Sequence, residues 1–324
     1  MFGPFAYYST GYTPDEIPDL TGKTAIVTGG NSGIGYETCL NFAKNNCQVF
    51  MASRSKERAQ EAINKIKVET GKDVHFLQLD LQDLNNVKSA ASTFIEKKIP
   101  LDILINNAGI MASPYALTKD GIETQIGTNH VGHFLFTKLL LPTLNKTSAR
   151  IVNVSSYAHT MHPKGGIDFE ALEDPEKMKA MDTWIRYGQS KLANILFTKY
   201  LAKKLANQNV FVNCLHPGAV YTELINNGPV QTYGNGIMSM ITPILTPIVG
   251  FGSWLVSLSP QQGAYTTLYC ATSEEIASER ITGEYFIPHA KRHNESLHAN
   301  ALDEELSVKL WDWTEKTIAS KIDL

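Results

Sequence analysis

Lys23 to Gly35 reads Lys-Thr-Ala-Ile-Val-Thr-Gly-Gly-Asn-Ser-Gly-Ile-Gly, and this stretch decides the fold. Lys23 to Thr28 is a short apolar run rich in β-branched residues, with glycine on either side. Such a run reads as a buried strand. It breaks into Thr28-Gly29-Gly30-Asn31-Ser32-Gly33-Ile34-Gly35, after which a helical pattern continues to about Lys44. A strand, a glycine turn and a helix form a phosphate cradle. Glycine lets the backbone turn tightly against a pyrophosphate, and the helix start offers unpaired N–H groups to it. The spacing T-G-x-x-x-G-x-G differs from the commoner G-x-G-x-x-G, and a glycine-rich turn without ligand would look the same.

Working outward, Cys47 to Ser53 is the next apolar run, closed by Arg54. A dinucleotide site that prefers NAD usually places an acid at this strand end to hold the ribose hydroxyls. Here Ser53 and Arg54 stand there instead. A carboxylate would repel a 2′-phosphate, whereas a guanidinium pairs with it through two hydrogen bonds. The expected cofactor is therefore NADP(H) rather than NAD(H). A polar helix spans Lys56 to about Thr70, Asp73 to Leu79 alternates as a third strand, and Asp80-Leu81 ends it. Asp83 to Lys97 predicts a helix with Asp83 as N-cap. Leu101 to Ile105 is a fourth strand, closed by Asn106-Asn107-Ala108-Gly109. The spacing predicts one long helix over Asp120 to Leu141, containing Asn129, His130 and His133 and stopped by Pro142.

Arg150 to Ser156 is a fifth strand ending in two serines, and Val210 to Leu215 a sixth, followed by His216-Pro217-Gly218. Gln261 to Thr272 reads as a helix, Gly283 to Ile287 as the last strand, and Asp303 to Ile318 as an amphipathic helix. Strand and helix alternate throughout. The expectation is a single-domain, Rossmann-type, doubly wound parallel α/β sheet of about seven strands, with helices on both faces. Such sheets bind ligands at the carboxyl ends of their strands. The glycine turn, Ser53, Asp80-Leu81, Asn107-Ala108-Gly109, Ser155/Ser156 and Pro217-Gly218 all fall there.

Between the last serine and the sixth strand lies Tyr187-Gly-Gln-Ser-Lys191. Four residues apart on a helix, Tyr187 and Lys191 share one face. Trp184, Leu192, Ile195, Leu196, Tyr200 and Leu201 recur at helical spacing around them, with Gly188 the weak point. A fixed ammonium favours an ionised phenol, so the Tyr187 pKa is expected to fall. One lysine alone would need help from a second positive charge or a bound cofactor.

The chain has 324 residues, 43% hydrophobic and 19% charged, with a net charge of −3. That balance gives no electrostatic reason to expect nucleic acid. Cys39, Cys47, Cys214 and Cys270 are scattered in apolar contexts without metal-ligand spacing, and read as reduced core residues of a cytosolic protein. His130, His133, His159 and His162 read as structural or surface histidines, and no metal site is expected. Met1 to Thr21 has neither a basic leader nor an apolar core, and reads as no signal peptide or anchor. Ile237 to Leu258 carries no charge, but Pro243, Pro247, Gly250 and Gly252 break it. It reads as a substrate-pocket loop and buried helix, with peripheral contact to a membrane or lipid droplet as the second reading.

Together these residues carry a resemblance. Thr28-Gly-x-x-x-Gly-x-Gly35, Asn106-Asn-Ala-Gly109, a strand-end serine and Tyr187-x-x-x-Lys191 occur in order. The chain resembles the short-chain dehydrogenase/reductases over about residues 20 to 290. It looks most like their retinol dehydrogenase-like and WW-domain oxidoreductase-like branch, through Gly127 to Phe134, Arg150 to Ser156, Ser190 to Phe197 and His216-Pro-Gly218. The resemblance implies a Ser-Tyr-Lys-Asn tetrad. Tyr187 would be the general acid/base. Lys191 would lower its pKa and hold the nicotinamide ribose. Ser156, rather than Ser155, would bond the substrate oxygen, and Asn129 would hold a water in the proton relay. It also places Gly29, Ile34, Arg54, Asp80, Asn107, Val220 and Thr222 against the cofactor.

The family pattern divides the chain into an extension (1–20), the enzyme domain (21–290, substrate loop about 222–258) and a C-terminal tail (291–324). The Ser156-to-Tyr187 interval is long, and Ile167 to Leu172 reads as part of an insert rimming the pocket. Relatives form dimers and tetramers through the Tyr-bearing helix, so a homo-oligomer is a further expectation. The function expected is interconversion of a carbonyl and an alcohol on a small hydrophobic substrate such as a retinoid, steroid or lipid-derived aldehyde. The alternative is a non-catalytic NADP(H)-binding or lipid-surface protein acting through partners.

Overall fold

The computed structural model describes residues 11–145, 147–220 and 258–323. Thr222 and the apolar segment up to residue 257 lie outside the described residues.

Apolar, β-branched runs form the strands β1 (Thr24–Thr28), β2 (Gln48–Ser53), β3 (Val74–Gln78), β4 (Ile103–Asn106), β5 (Ala149–Val154) and β6 (Val210–Leu215). A seventh, β7 (Tyr285–Ile287), and a short eighth, β8 (Lys291–Arg292), complete one sheet in the order β3-β2-β1-β4-β5-β6-β7-β8. The first seven pair in parallel, and β8 alone runs antiparallel to β7. Two exposed basic residues make up β8, so apolar patterning gives no hint of it.

Helices cover both faces. On one lie α1 (Gly33–Lys44) and α2 (Lys56–Thr70), whose Phe42, Ile63 and Ile66 pack on Val27, Val49 and Met51. On the other lies α3 (Leu84–Ile95), N-capped by Asp83, whose side chain accepts from the Asn86 N–H. The segment expected as one long helix is helical without interruption from Thr124 to Leu140: the single turn α4 (Thr124–Ile126) passes through a π-helical turn over Gly127–Val131 into α5 (Gly132–Leu140). The short helices α6 (Phe169–Glu173) and α7 (Pro175–Ala180) precede α8 (Thr183–Lys204), which carries Tyr187 and Lys191. Asp182 caps α8 by accepting from the Trp184 and Ile185 N–H groups.

After β6 come α9 (Pro260–Thr272), α10 (Glu274–Ser278) and the C-terminal helix α11 (Glu304–Ala319). The C-terminal helix lies in the core with α5 and α8. Its Trp311 ring stands 4.6 Å from Phe134 and 5.0 Å from Tyr200. The insert packs there too: Ile167 is buried in the same cluster, and Phe169 faces Trp313. The Asp168 N–H of the insert also donates to Gln189 Oε1 on α8 at 2.7 Å. Among the described residues, no helix is long and apolar enough to cross a membrane.

Candidate active site

Because β1 and β4 are neighbours while the chain passes outward to β2 and β5, their carboxyl ends open a crevice at the switch point of the sheet. The glycine turn forms one lip. Gly29 adopts φ +65°, and a Cβ on Gly35 would lie 2.2 Å from the Gly29 carbonyl oxygen. Only bare backbone allows that approach. Ser32 precedes α1, yet its side chain caps nothing, so it does not occupy the first N–H groups of Gly33, Ile34 and Gly35. That cradle fits a pyrophosphate. Asn31 lies in the same turn.

Asn107 and Ala108 form the opposite lip. Both of their N–H groups donate to Thr28 Oγ1 at 2.9 Å, and the Asn107 amide donates to the Thr28 carbonyl at 2.9 Å. A Cβ on Gly109 would lie 3.1 Å from Asn129 Oδ1 and 3.3 Å from Lys191 Nζ, so this lip abuts the tetrad. Ser53 ends β2 buried, its hydroxyl donating to the Ser55 carbonyl, and Arg54 beside it is exposed. Asp80 is half-buried and accepts the Gln82 N–H, while Leu81 is buried. Pro217 and Gly218 follow β6, and Val220 is buried, bridged to Leu258.

Three tetrad members meet across α8 and β5. Ser156 lies at the β5 exit, half-buried, and its hydroxyl bonds the Tyr187 phenol. Ser155 is turned the other way, with its Oγ donating to the Lys191 carbonyl at 2.7 Å. Lys191 Nζ donates to the Val154 carbonyl at 3.1 Å and stands 5.8 Å from the centre of the Tyr187 ring. Asn129 closes the group within the π-turn. Its Oδ1 accepts the Ile110 N–H at 2.9 Å, while its amide donates to the Ile110 carbonyl and to Ser190 Oγ. These bonds fall at the π-turn within the predicted long helix. Asn129 is held by a loop 19 residues away, and the local π-turn accommodates it.

Electrostatics corrects one expectation. The Tyr187 pKa is not lowered by its lysine. Burial pushes the phenol up to about 12, opposed only in part by the Ser156 hydrogen bond. Burial also pulls Lys191 down to about 8. Desolvation outweighs the attraction because the ammonium is held on a backbone carbonyl rather than at the phenol oxygen.

Two supporting groups are not evident from motif spacing. Thr28 anchors both lips through one hydroxyl, and Ser190 ties Asn129 to α8 while donating to the Tyr187 carbonyl. Gly188 has a purpose too: a Cβ there would come within 2.6 Å of the Ala158 carbonyl, so its absence lets the Ser156 turn lie against α8.

A dinucleotide crevice with a phenol, a hydroxyl and an ammonium gathered at its edge defines a nicotinamide-dependent oxidoreductase. The family model for short chain dehydrogenases matches residues 23–171 and 177–230. An uncharacterized oxidoreductase of Schizosaccharomyces pombe is 42% identical over 313 residues, 94% of this chain and 87% of its own length. Retinol dehydrogenase 13 of Homo sapiens is 39% identical over 306 residues, 94% of this chain and 87% of its own. A solved structure of an uncharacterized protein from Mycobacterium Paratuberculosis superposes with a TM-score of 0.72 at 31% identity, covering 97% of this chain and all of that one. The chain belongs to the short-chain dehydrogenase/reductases, in their retinol dehydrogenase-like branch.

Proposed function

We propose that this protein is an NADP(H)-dependent oxidoreductase that interconverts a carbonyl and an alcohol on an apolar substrate, with Tyr187 as the proton-transferring group. The observation that carries this is the buried Tyr187 phenol, bonded to Ser156 beside Lys191 at the mouth of the glycine-turn crevice. The retinoid class is supported by the likeness to retinol dehydrogenase 13.

The nicotinamide, when bound, supplies or accepts the hydride. The glycine turn and the α1 start would hold its pyrophosphate, and Arg54 would pair with a 2′-phosphate. Ser156 accepts or donates a hydrogen bond at the substrate oxygen, fixing it within reach of the Tyr187 Oη. In reduction, the Tyr187 O–H bond breaks and its proton joins the new alkoxide oxygen. A phenol held neutral by burial is the form needed for that direction. Lys191 then faces a developing phenolate, whose charge its ammonium stabilises.

The test is fluorescence titration of the purified protein with NADPH and NADH, beside Arg54→Asp. NADPH should bind at least about tenfold tighter than NADH, a gap of about 1.4 kcal/mol, and Arg54→Asp should erase it. Equal binding of the two nucleotides would overturn the assignment of NADP(H).

A further inference from the structure

We infer that His133 is a positioning residue: its imidazole joins the Asn129 main-chain carbonyl in the π-turn to Thr28 at the cofactor crevice, holding the two at fixed separation.

The ring is buried, and each nitrogen has a partner. Nδ1 lies 3.0 Å from the Asn129 carbonyl oxygen, and Nε2 lies 2.8 Å from Thr28 Oγ1. A carbonyl can only accept, so Nδ1 carries the hydrogen. In the neutral ring Nε2 is then an acceptor and takes the Thr28 hydroxyl hydrogen. That contact is shorter than the 3.3 Å from Thr28 Oγ1 to the Ile105 carbonyl, which competes for the same hydrogen. With its hydrogen given to His133, Thr28 Oγ1 accepts from both Asn107 and Ala108 N–H groups. The hydroxyl is fully used.

His133 thereby becomes the middle of a chain with no gap. It runs from Asn107 and Ala108 through Thr28, His133 and Asn129 to Ser190 and the Tyr187 carbonyl. Among the described residues, the Lys191 ammonium faces the ring and opposes its protonation, and the neighbouring His130 is coupled to it in the same sense. The π-turn leaves Asn129 and His133 on consecutive turns of the same helical segment, so the imidazole reaches back to Asn129 and outward to β1 at once. His133 is buried behind Asn129 and Thr28. It acts through Asn129 on the proton path, and through Thr28 on the cofactor lip.

The two arms are separable. Asn at position 133 can present a donor near the place of Nδ1, and Gln an acceptor near the place of Nε2. In His133→Asn, the Asn129 arm survives and the Thr28 arm is lost. NADPH affinity should fall about tenfold, the loss of one hydrogen bond, while kcat stays within about threefold. In His133→Gln the pattern should reverse, with NADPH affinity kept and kcat reduced tenfold or more. His133→Ala should lose both. The turnover arm rests on the proposed function, with the best substrate from a panel of apolar aldehydes and ketones; the NADPH arm does not need a substrate.

A third measurement uses the unaltered protein. Nitrogen-15 NMR of labelled histidines, with His133 assigned through its proximity to Thr28, should show a neutral ring protonated at Nδ1. The inference is overturned if that ring is charged or protonated at Nε2. It is also overturned if folded His133→Asn and His133→Gln lose affinity and turnover in equal proportion, or lose only thermal stability. Failure of the unaltered protein to bind NADPH would sink the proposed function instead, and the tautomer would still decide the case for His133.

Discussion

Gly188→Ala separates stability from catalysis in a single methyl group. By helix propensity alone, alanine in the first turns of α8 should stabilise the protein by up to about 1 kcal/mol. The structure predicts otherwise. The added Cβ would lie 2.6 Å from the Ala158 carbonyl oxygen and 2.8 Å from the Met161 carbonyl group. These are backbone atoms of the turn Tyr157–Met161, which Ser156 caps through its hydroxyl. They cannot rotate away as a flexible side chain could. Overpacking of this kind costs about 1–3 kcal/mol, so the net effect on stability should be a loss of about 0–2 kcal/mol. The larger effect is on geometry. Restoring ordinary contact requires the turn to retreat by about 0.8 Å, and Ser156 moves with it, away from Tyr187. Misplacement of a reacting group by about 1 Å costs on the order of a hundredfold in rate. The assay is steady-state turnover beside a denaturant melt. We expect kcat to fall by ten- to a hundredfold while NADPH affinity stays within threefold. Wild-type kcat in a folded Gly188→Ala protein would refute the close-packed Ser156–Tyr187 arrangement.

Acid should unfold the protein through its buried histidines. Burial lowers His130 to about 3 and His133 to about 4, against about 6.5 unfolded. By pH 5 the two together remove about 4 kcal/mol, and His130→Gln should flatten the decline measured by denaturant melts from pH 7 to 5; an unchanged slope would contradict it. Trp311→Ala should cost about 3–5 kcal/mol in the same melts, because the ring is buried against Phe134, Phe197 and Tyr200. A cost under about 1 kcal/mol would mean that the C-terminal helix is not part of the core.

Much of this architecture is legible in the sequence because it is local. Lys23 to Gly35 contains a complete strand, turn and helix start, and the strand ends mark the crevice before any contact is known. The four cysteines, read as reduced core residues, are all buried and free. Where the reading departs from the structure, the cause is distant in the chain. Nothing within 120–141 signals the π-turn at Asn129, since its register depends on the backbone of Ile110. Nothing within the insert signals that Ile167 is buried in the core cluster that the C-terminal helix shares. Periodicity places Tyr187 and Lys191 on one face but says nothing of depth. Depth decides the sign of the Tyr187 shift, because desolvation grows with burial faster than one displaced ammonium can offset. His133 looks like an ordinary core histidine until both of its ring nitrogens are followed to their partners.

The most direct test of Tyr187 as the proton-transferring group is Tyr187→Phe, which removes one oxygen and keeps the ring. NADPH titration and turnover of an apolar aldehyde are measured on the same preparation. Affinity within about threefold of wild type and a kcat loss of a hundredfold or more are the predicted outcome. Turnover within tenfold of wild type, with NADPH still bound, would contradict it.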